Sequence, residues 1–260
     1  MQIIGHRGAR REAPENTLGG FRHINALGLK AVEFDVRLLK DHRLAVLHDA
    51  TLQRTAGQPD LLSTLSTTDL DHFDNRQGWP EWPSLEPIPT LEQVLALMTD
   101  FTHIEVEVKA VEDMAAVRAV TQQLIHELAA WPNHAAVTIT SFDVRILAQL
   151  YKQRQAGLHH LKTGLLLEPA SAVPQDLVEL EGLSPLRPVE LAQALDCSRI
   201  GLSDKLSNQE AVFAIQAANL PLSIWTVNDP DRAKQLAAWG IEGLITDVPT
   251  LMLKEQVGTV

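Results

Sequence analysis

Several things are scarce in this 260-residue chain. There is one cysteine, Cys197, so no disulfide can form within it and a reducing compartment would suit it. Positive charge is in the minority: 22 Lys and Arg stand against 33 Asp and Glu, a formal net charge of −11. A domain that binds DNA or RNA needs a basic footprint, so this balance argues against nucleic acid as the main partner. An anionic small molecule would need a local cation, because the overall field repels it. No apolar run approaches the ~20 residues of a membrane-spanning helix, which argues against stable membrane insertion. The first residues, "MQIIGHRG", enter a strand pattern at once, without the basic and apolar regions of an export signal. The expectation is a cytoplasmic protein.

Core-forming material, by contrast, is ample at 45% hydrophobic residues, and Gly and Pro stand at ordinary levels, 14 each. Short apolar runs, candidate strands, begin at Gln2, Ala31, His103, Val137, Thr163, Arg199, Leu222 and Gly243. The fourth ends at Thr140 and the seventh reaches Val227. Helical patterns fill most of the intervals: 17–27, 91–98, 113–130, 142–151, 208–218 and 231–238. Asn208 and Asp231 are the expected N-caps of the last two. Residues 177–195 are interrupted by Gly182, Pro185 and Pro188 and read as a broken helix with a loop. Eight strands alternating with helices over this length predict a (β/α)₈ TIM barrel, with an open doubly wound sheet as the alternative. The whole chain, 1–260, reads as one barrel domain. Residues 50–88 lack any long period and carry "GWPEWP", so they read as a small insertion after strand 2, an ordered flap with a short helix near residues 66–70.

In such barrels the chemistry sits at the C-terminal ends of the strands. Strand 1 ends in "GHRG", with His6 and Arg7. Strand 2, "VEFDV", places Glu33 and Asp35 on one face and Val32, Phe34 and Val36 on the other, because side chains two apart point the same way. The hairpin that follows, turning at Asp41-His42, delivers His48. Strand 3, "IEVEVK", puts Glu105, Glu107 and Lys109 on a single face. Taken alone, each has a structural reading: a solvated acidic edge, a satisfied histidine, a Lys109–Glu107 ion pair. Trp225 and Phe142 fit barrel core as readily as a substrate wall. Three polar strand ends at one rim are harder to explain that way.

Glu33, Asp35 and a strand 3 carboxylate would form an all-oxygen cluster suited to one hard divalent cation, Mg²⁺ or Ca²⁺. Zinc is disfavoured, with no nearby cysteine and no helical histidine pair. Arg7 offers a planar fork for phosphate and Lys109 a point charge. His6 and His48 would supply general acid and base. Metal, cationic clamp and two histidines fit cleavage of a phosphodiester.

The series "IGHRGARREAPENT", "VEFDVRLLKDHRLAVLHD", "LQRT", "IPTLEQVL", "VEVK", "TSF", "IWTVN" and "GLITDVP" resembles the glycerophosphodiester phosphodiesterase family, in order, from residue 3 to about 249. The resemblance implies a divalent metal and hydrolysis of a small-molecule glycerophosphodiester to an alcohol and sn-glycerol 3-phosphate. It makes His6 and His48 the acid/base pair, Glu33, Asp35 and Glu107 the metal carboxylates, and Arg7 and Lys109 the phosphate contacts. Asn16 would orient the strand 1 loop, Trp225 would form a pocket wall, and Asn228 a loop contact. Glu105 stands where the family often has Asn; Glu107 keeps the "E-x-K" spacing and is the expected ligand. Water, or the neighbouring glycerol hydroxyl by way of a cyclic phosphate, could be the nucleophile, and either histidine could be the acid. A lysophospholipase D acting on acylated diesters and a non-catalytic glycerophosphodiester-binding barrel are the alternatives.

Overall fold

Alternation dictates the architecture. Val32, Phe34 and Val36 turn outward and are fully buried beneath helices, while Glu33 and Asp35 turn into the lumen of a closed sheet. The computed structural model describes residues 1–158, 160–169, 188–255 and 257. In chain order the first half runs β1 (Gln2–His6), α1 (Leu18–Ala26), β2 (Ala31–Leu38), β3 (Leu44–Val46), α2 (Gln53–Ala56), α3 (Leu91–Ala96), β4 (His103–Val108) and α4 (Met114–Ala130). The second half runs β5 (Val137–Ser141), α5 (Val144–Gln155), β6 (Lys162–Leu167), α6 (Pro188–Ala194), β7 (Arg199–Ser203), α7 (Gln209–Ala217), β8 (Leu222–Trp225), α8 (Pro230–Ala238), β9 (Gly243–Thr246) and α9 (Pro249–Lys254). Strands β1, β2 and β4–β9 are all parallel, and pairing of β1 with both β2 and β9 closes them into the expected eight-stranded barrel. Strand β3 is the return arm of the hairpin, antiparallel to β2, and it carries the chain back toward His48.

Helix starts follow local chemistry. Thr17, Asp113, Asp143 and Asn208 accept hydrogen bonds from the first-turn amides of α1, α4, α5 and α7, satisfying donors that have no partner within the helix. The expected cap at Asp231 is corrected to Asp229. Pro230 occupies the first turn of α8, where its missing N–H costs nothing, so the cap falls just before it, two residues ahead of the expected position. Strand β2 runs two residues past its expected end and β8 stops at Trp225. Of the segment expected as a broken helix, Pro188–Ala194 is helical, and residues 177–187 lie outside the described residues.

The main core lies between the barrel and its helices, where each fully buried Val, Leu, Ile or Phe contributes roughly 1.5–3 kcal/mol. A second cluster, including Leu39, Leu47, Leu52, Leu62, Leu70 and Ile88, lies beneath residues 50–88. That segment contains a 3₁₀ turn at Thr67–His72, opened by a capping box between Ser66 and Asp69, where the short helix was expected. Trp79 and Trp82 stack edge to face, with centroids 6.2 Å apart. Among the described residues no helix is long and apolar enough to cross a membrane.

The lower lumen holds a buried polar group beside a small apolar cluster of Ile4, Ala31 and Ile245. Glu105 is fully buried, with Arg199 Nε at 3.4 Å, His103 Nε2 at 2.9 Å and Ser223 Oγ at 3.3 Å. Burial would raise the Glu105 carboxyl, but Arg199 and His103 hold it at about 2. Gly164 makes room for this pair, since a Cβ there would sit 2.8 Å from Arg199 Cγ.

Candidate active site

Above that layer, the register of β2 and β4 sets Asp35 directly across from Glu107. With Glu33 they bring one oxygen each to within 4.8 Å of one another, all three residues buried. Burial, together with the neighbouring charges of Asp35 and Glu107, pushes the Glu33 carboxyl well above its ordinary range. Burial likewise lifts Glu107 to about 7. Burial would also raise Asp35, yet Lys109 and Arg7 outweigh it and keep Asp35 ionised. Lys109 Nζ stands 2.7 Å from Asp35 and 2.5 Å from Glu107, and Arg7 Nε lies 3.2 Å from Asp35.

The donor set fits a hard cation. Three carboxylates supply only oxygen, and Asp35 Oδ1 is buried without a hydrogen bond even though Lys109 lies close by. Asn16 holds the other oxygen, donating from Nδ2 to Asp35 Oδ2 at 2.9 Å. Asn16 and Arg7 both take left-handed backbone angles (φ 54° and 50°), and the Asn16 amide donates to the Arg7 carbonyl, which folds the strand 1 loop back over β2.

A cavity of about 520 Å³ opens on this cluster. Of the residues singled out from sequence, His6, Arg7, Glu33, His48, Glu107, Lys109 and Trp225 all line it, and Asp35 lies just beneath. Phe142 meets Trp225 edge to face at 5.5 Å, and with Leu166 and Ile245 they give the cavity an apolar side. The described lining does not include Trp79 or Trp82, so the aromatic pair of the insertion is not part of the wall. Of the two β4 acids, Glu107 joins the cluster, whereas Glu105 is engaged with Arg199 below.

A model of the glycerophosphoryl diester phosphodiesterase family matches residues 6–251. The chain belongs to that family. A glycerophosphodiester phosphodiesterase of Bacillus altitudinis is 25% identical over 253 residues, covering 97% of each chain. A lysophospholipase D of Rattus norvegicus is 27% identical, covering 97% of this chain and 84% of its own. A phosphodiesterase from Oleispira antarctica, solved with the product sn-glycerol-3-phosphate, superposes with a TM-score of 0.83 at 22% identity, covering 99% of this chain and 97% of that one. The glycerophosphodiester phosphodiesterase of Thermotoga maritima superposes at 0.73 with 24% identity, covering 97% and 96%. The barrel is thus the fold of these family structures.

In this family member both cavity histidines are backed by a carboxylate. His6 Nδ1 meets Asp247 Oδ1 at 2.6 Å, and His48 Nδ1 meets Asp49 Oδ1 at 2.6 Å. A carboxylate there favours a proton on Nδ1 and leaves Nε2 as the free lone pair. Burial lowers His6, with Asp247 opposing, and burial takes His48 down to about 4, so both imidazoles are neutral near pH 7. Asn228 holds Asp247 through two hydrogen bonds, donating from Nδ2 to Oδ2 at 2.8 Å and accepting from the Asp247 amide at 2.9 Å. Asp247 and Asp49 lie within the quoted "GLITDVP" and "VEFDVRLLKDHRLAVLHD" but were given no role from sequence. Their signal was position, an acid directly after a strand end and directly after a histidine. Glu15 and Arg54 lie within the quoted "PENT" and "LQRT" but were given no role: Glu15 accepts from Arg7 NH1 at 2.9 Å and from both terminal nitrogens of Arg54 at 2.7 and 2.8 Å.

Proposed function

We propose that this family member is a metal-dependent glycerophosphodiester phosphodiesterase that releases an alcohol and sn-glycerol 3-phosphate. One observation carries the reading. Residues from three strand ends and a hairpin, chosen from sequence for phosphodiester chemistry, converge on one cavity with three carboxylates grouped beneath it.

Glu33, Asp35 and Glu107 would hold one divalent cation, Mg²⁺ or Ca²⁺, which supplies Lewis-acid stabilisation of the phosphoryl oxygens. Arg7 and Lys109 add fixed positive charge where negative charge grows. One histidine, neutral at rest, takes the proton of the attacking hydroxyl, and the aspartate behind it offsets the imidazolium charge. The other acts in its protonated form, which the aspartate behind it and the bound phosphate favour, and gives its Nε2 proton to the departing alkoxide. Water and the neighbouring glycerol hydroxyl both meet the requirement for the nucleophile, the second by way of a cyclic phosphate. Trp225 and Phe142 provide an apolar wall that limits water around the ester. Residues 1–260 act as a single catalytic barrel, with residues 50–88 as a flap. The setting is cytoplasmic, and neither nucleic acid nor a membrane is a stable partner.

The test is release of glycerol 3-phosphate from glycerophosphocholine and glycerophosphoethanolamine by purified protein with added Mg²⁺ or Ca²⁺, beside their acylated counterparts. Absence of release from every deacylated diester overturns the proposal, and faster turnover of the acylated forms replaces it with a lysophospholipase D.

A further inference from the structure

Arg54 lies in "LQRT", on the four-residue helix α2 that opens the 50–88 segment, and it does not line the cavity. Its guanidinium nevertheless joins two parts of the site. Nε donates to Asp49 Oδ2 at 2.7 Å, and Asp49 holds His48 through its other oxygen. The two terminal nitrogens grip both oxygens of Glu15, and Glu15 holds Arg7. Arg7 in turn lies against Asp35. An unbroken series of charge-assisted contacts therefore runs from His48 through Asp49, Arg54, Glu15 and Arg7 to the carboxylate cluster.

We infer that Arg54 is a positioning residue that sets His48 and Arg7 together, and that docking of the 50–88 segment thereby completes the active site. The inference rests on the roles given above to His48 and Arg7. The forked, bidentate contact with Glu15 fixes direction as well as distance, which a single point charge would not do. Asp49 makes the remaining link: it has two oxygens, one spent on His48 Nδ1 and one on Arg54, so its plane is determined at both ends. An imidazole held from Nδ1 by a fixed carboxylate presents Nε2 in one direction. Loss of Arg54 would leave Asp49 fixed only at its His48 end, release Glu15 from one of its three arginines and loosen Arg7.

The groups that act on His48 are Asp49, Asp35, Lys109 and Arg7, and the backbone oxygen of His48 accepts from Arg37 Nε at 2.8 Å. Arg54 reaches His48 through Asp49. Removing its positive charge leaves Asp49 a stronger electrostatic partner for the imidazole, so the His48 titration should move upward.

The decisive experiment compares Arg54→Gln, Arg54→Lys, Asp49→Asn and the double variant Arg54→Gln/Asp49→Asn, each with bound metal, for kcat, KM and the pH dependence of kcat. Arg54→Gln should lower kcat by about 10- to 100-fold and move the acidic limb of the profile upward. Arg54→Lys should recover part of the loss while lacking the fork. The double variant should be no more than about threefold slower than the slower single one, because both break the same connection. Wild-type kcat and pH profile in Arg54→Gln, or losses that multiply in the double variant, would overturn the inference. Should Arg54→Gln unfold, Arg54→Lys is the variant on which the profile is read. If no diester is turned over, the proposed reaction fails separately, and NMR titration of the His48 ring decides: an unchanged midpoint in the Arg54 variants refutes positioning, and an upward shift supports it.

Discussion

His6 and Asp247 are locked together at 2.6 Å across the seam where β1 and β9 close the barrel. Asp247 follows β9 directly and His6 ends β1, so the seam that closes the sheet also assembles one of the two imidazole–carboxylate pairs. Asp247→Asn would keep the shape but turn an acceptor toward Nδ1 into an amide that can donate, which favours the opposite tautomer. The expected result is a fall in kcat of about 10²- to 10⁴-fold, similar to His6→Ala, with little change in melting temperature. Steady-state kinetics on glycerophosphocholine checks it, and near-normal turnover in either variant removes His6 from acid/base chemistry.

Metal binding should release protons. In the folded protein Glu107 is held at about 7 and Glu33 well above its usual value, while unfolded glutamates ionise near ~4.3. The folded state therefore retains protons that the unfolded chain has lost. Stability of the metal-free protein should fall as pH rises from about 4 toward 7 and beyond, since the folded state now binds more protons than the unfolded one. A bound cation would force both carboxyls to ionise. Calorimetry at pH 6 in two buffers of different ionisation enthalpy should show proton uptake by the buffer, and the melting-temperature gain on adding Mg²⁺ or Ca²⁺ should be larger at pH 8 than at pH 5. Identical heats in both buffers would contradict this account.

The Glu105–Arg199 pair below the site should matter for stability more than for chemistry. Arg199→Met would leave a fully buried carboxylate with only His103 and Ser223 for partners, a loss of about 3–5 kcal/mol by comparison with other broken buried pairs. Glu105→Leu/Arg199→Met removes both charges and should lie closer to wild type than Arg199→Met alone. Urea unfolding of the three proteins measures the difference.

Gly19 is a glycine because of Glu86. The Glu86 carboxylate, from the far end of the 50–88 segment, accepts from the Gly19 amide at 2.9 Å, and a Cβ at Gly19 would sit 2.1 Å from its other oxygen. Gly19→Ala should swing Glu86 away and cost about 1–3 kcal/mol for the lost buried hydrogen bond, more than the ~1 kcal/mol that alanine returns as a helix former. Thermal melts of Gly19→Ala should show destabilisation. Glu86→Ala/Gly19→Ala, which has no carboxylate to displace, should lose little beyond Glu86→Ala.

The features legible in sequence were those that depend on near neighbours. Period-two alternation in β2 and β4 announced an acidic lumen face, and the repeated strand–helix pattern announced the barrel. His6, Arg7, Glu33, Asp35, His48, Glu107, Lys109 and Trp225 were each visible because a strand end or the hairpin behind β2 carried it. What sequence could not supply was pairing between distant segments. Asp247 finds His6 across 241 residues, Arg199 finds Glu105 across the lumen, and Arg54 finds Glu15 across 39 residues. Sequence set which way each side chain points, because strand geometry is local. Which carboxylate meets which cation was decided only when the sheet closed and the 50–88 segment packed down, because partner choice for a buried charge depends on distances that no stretch of chain fixes by itself.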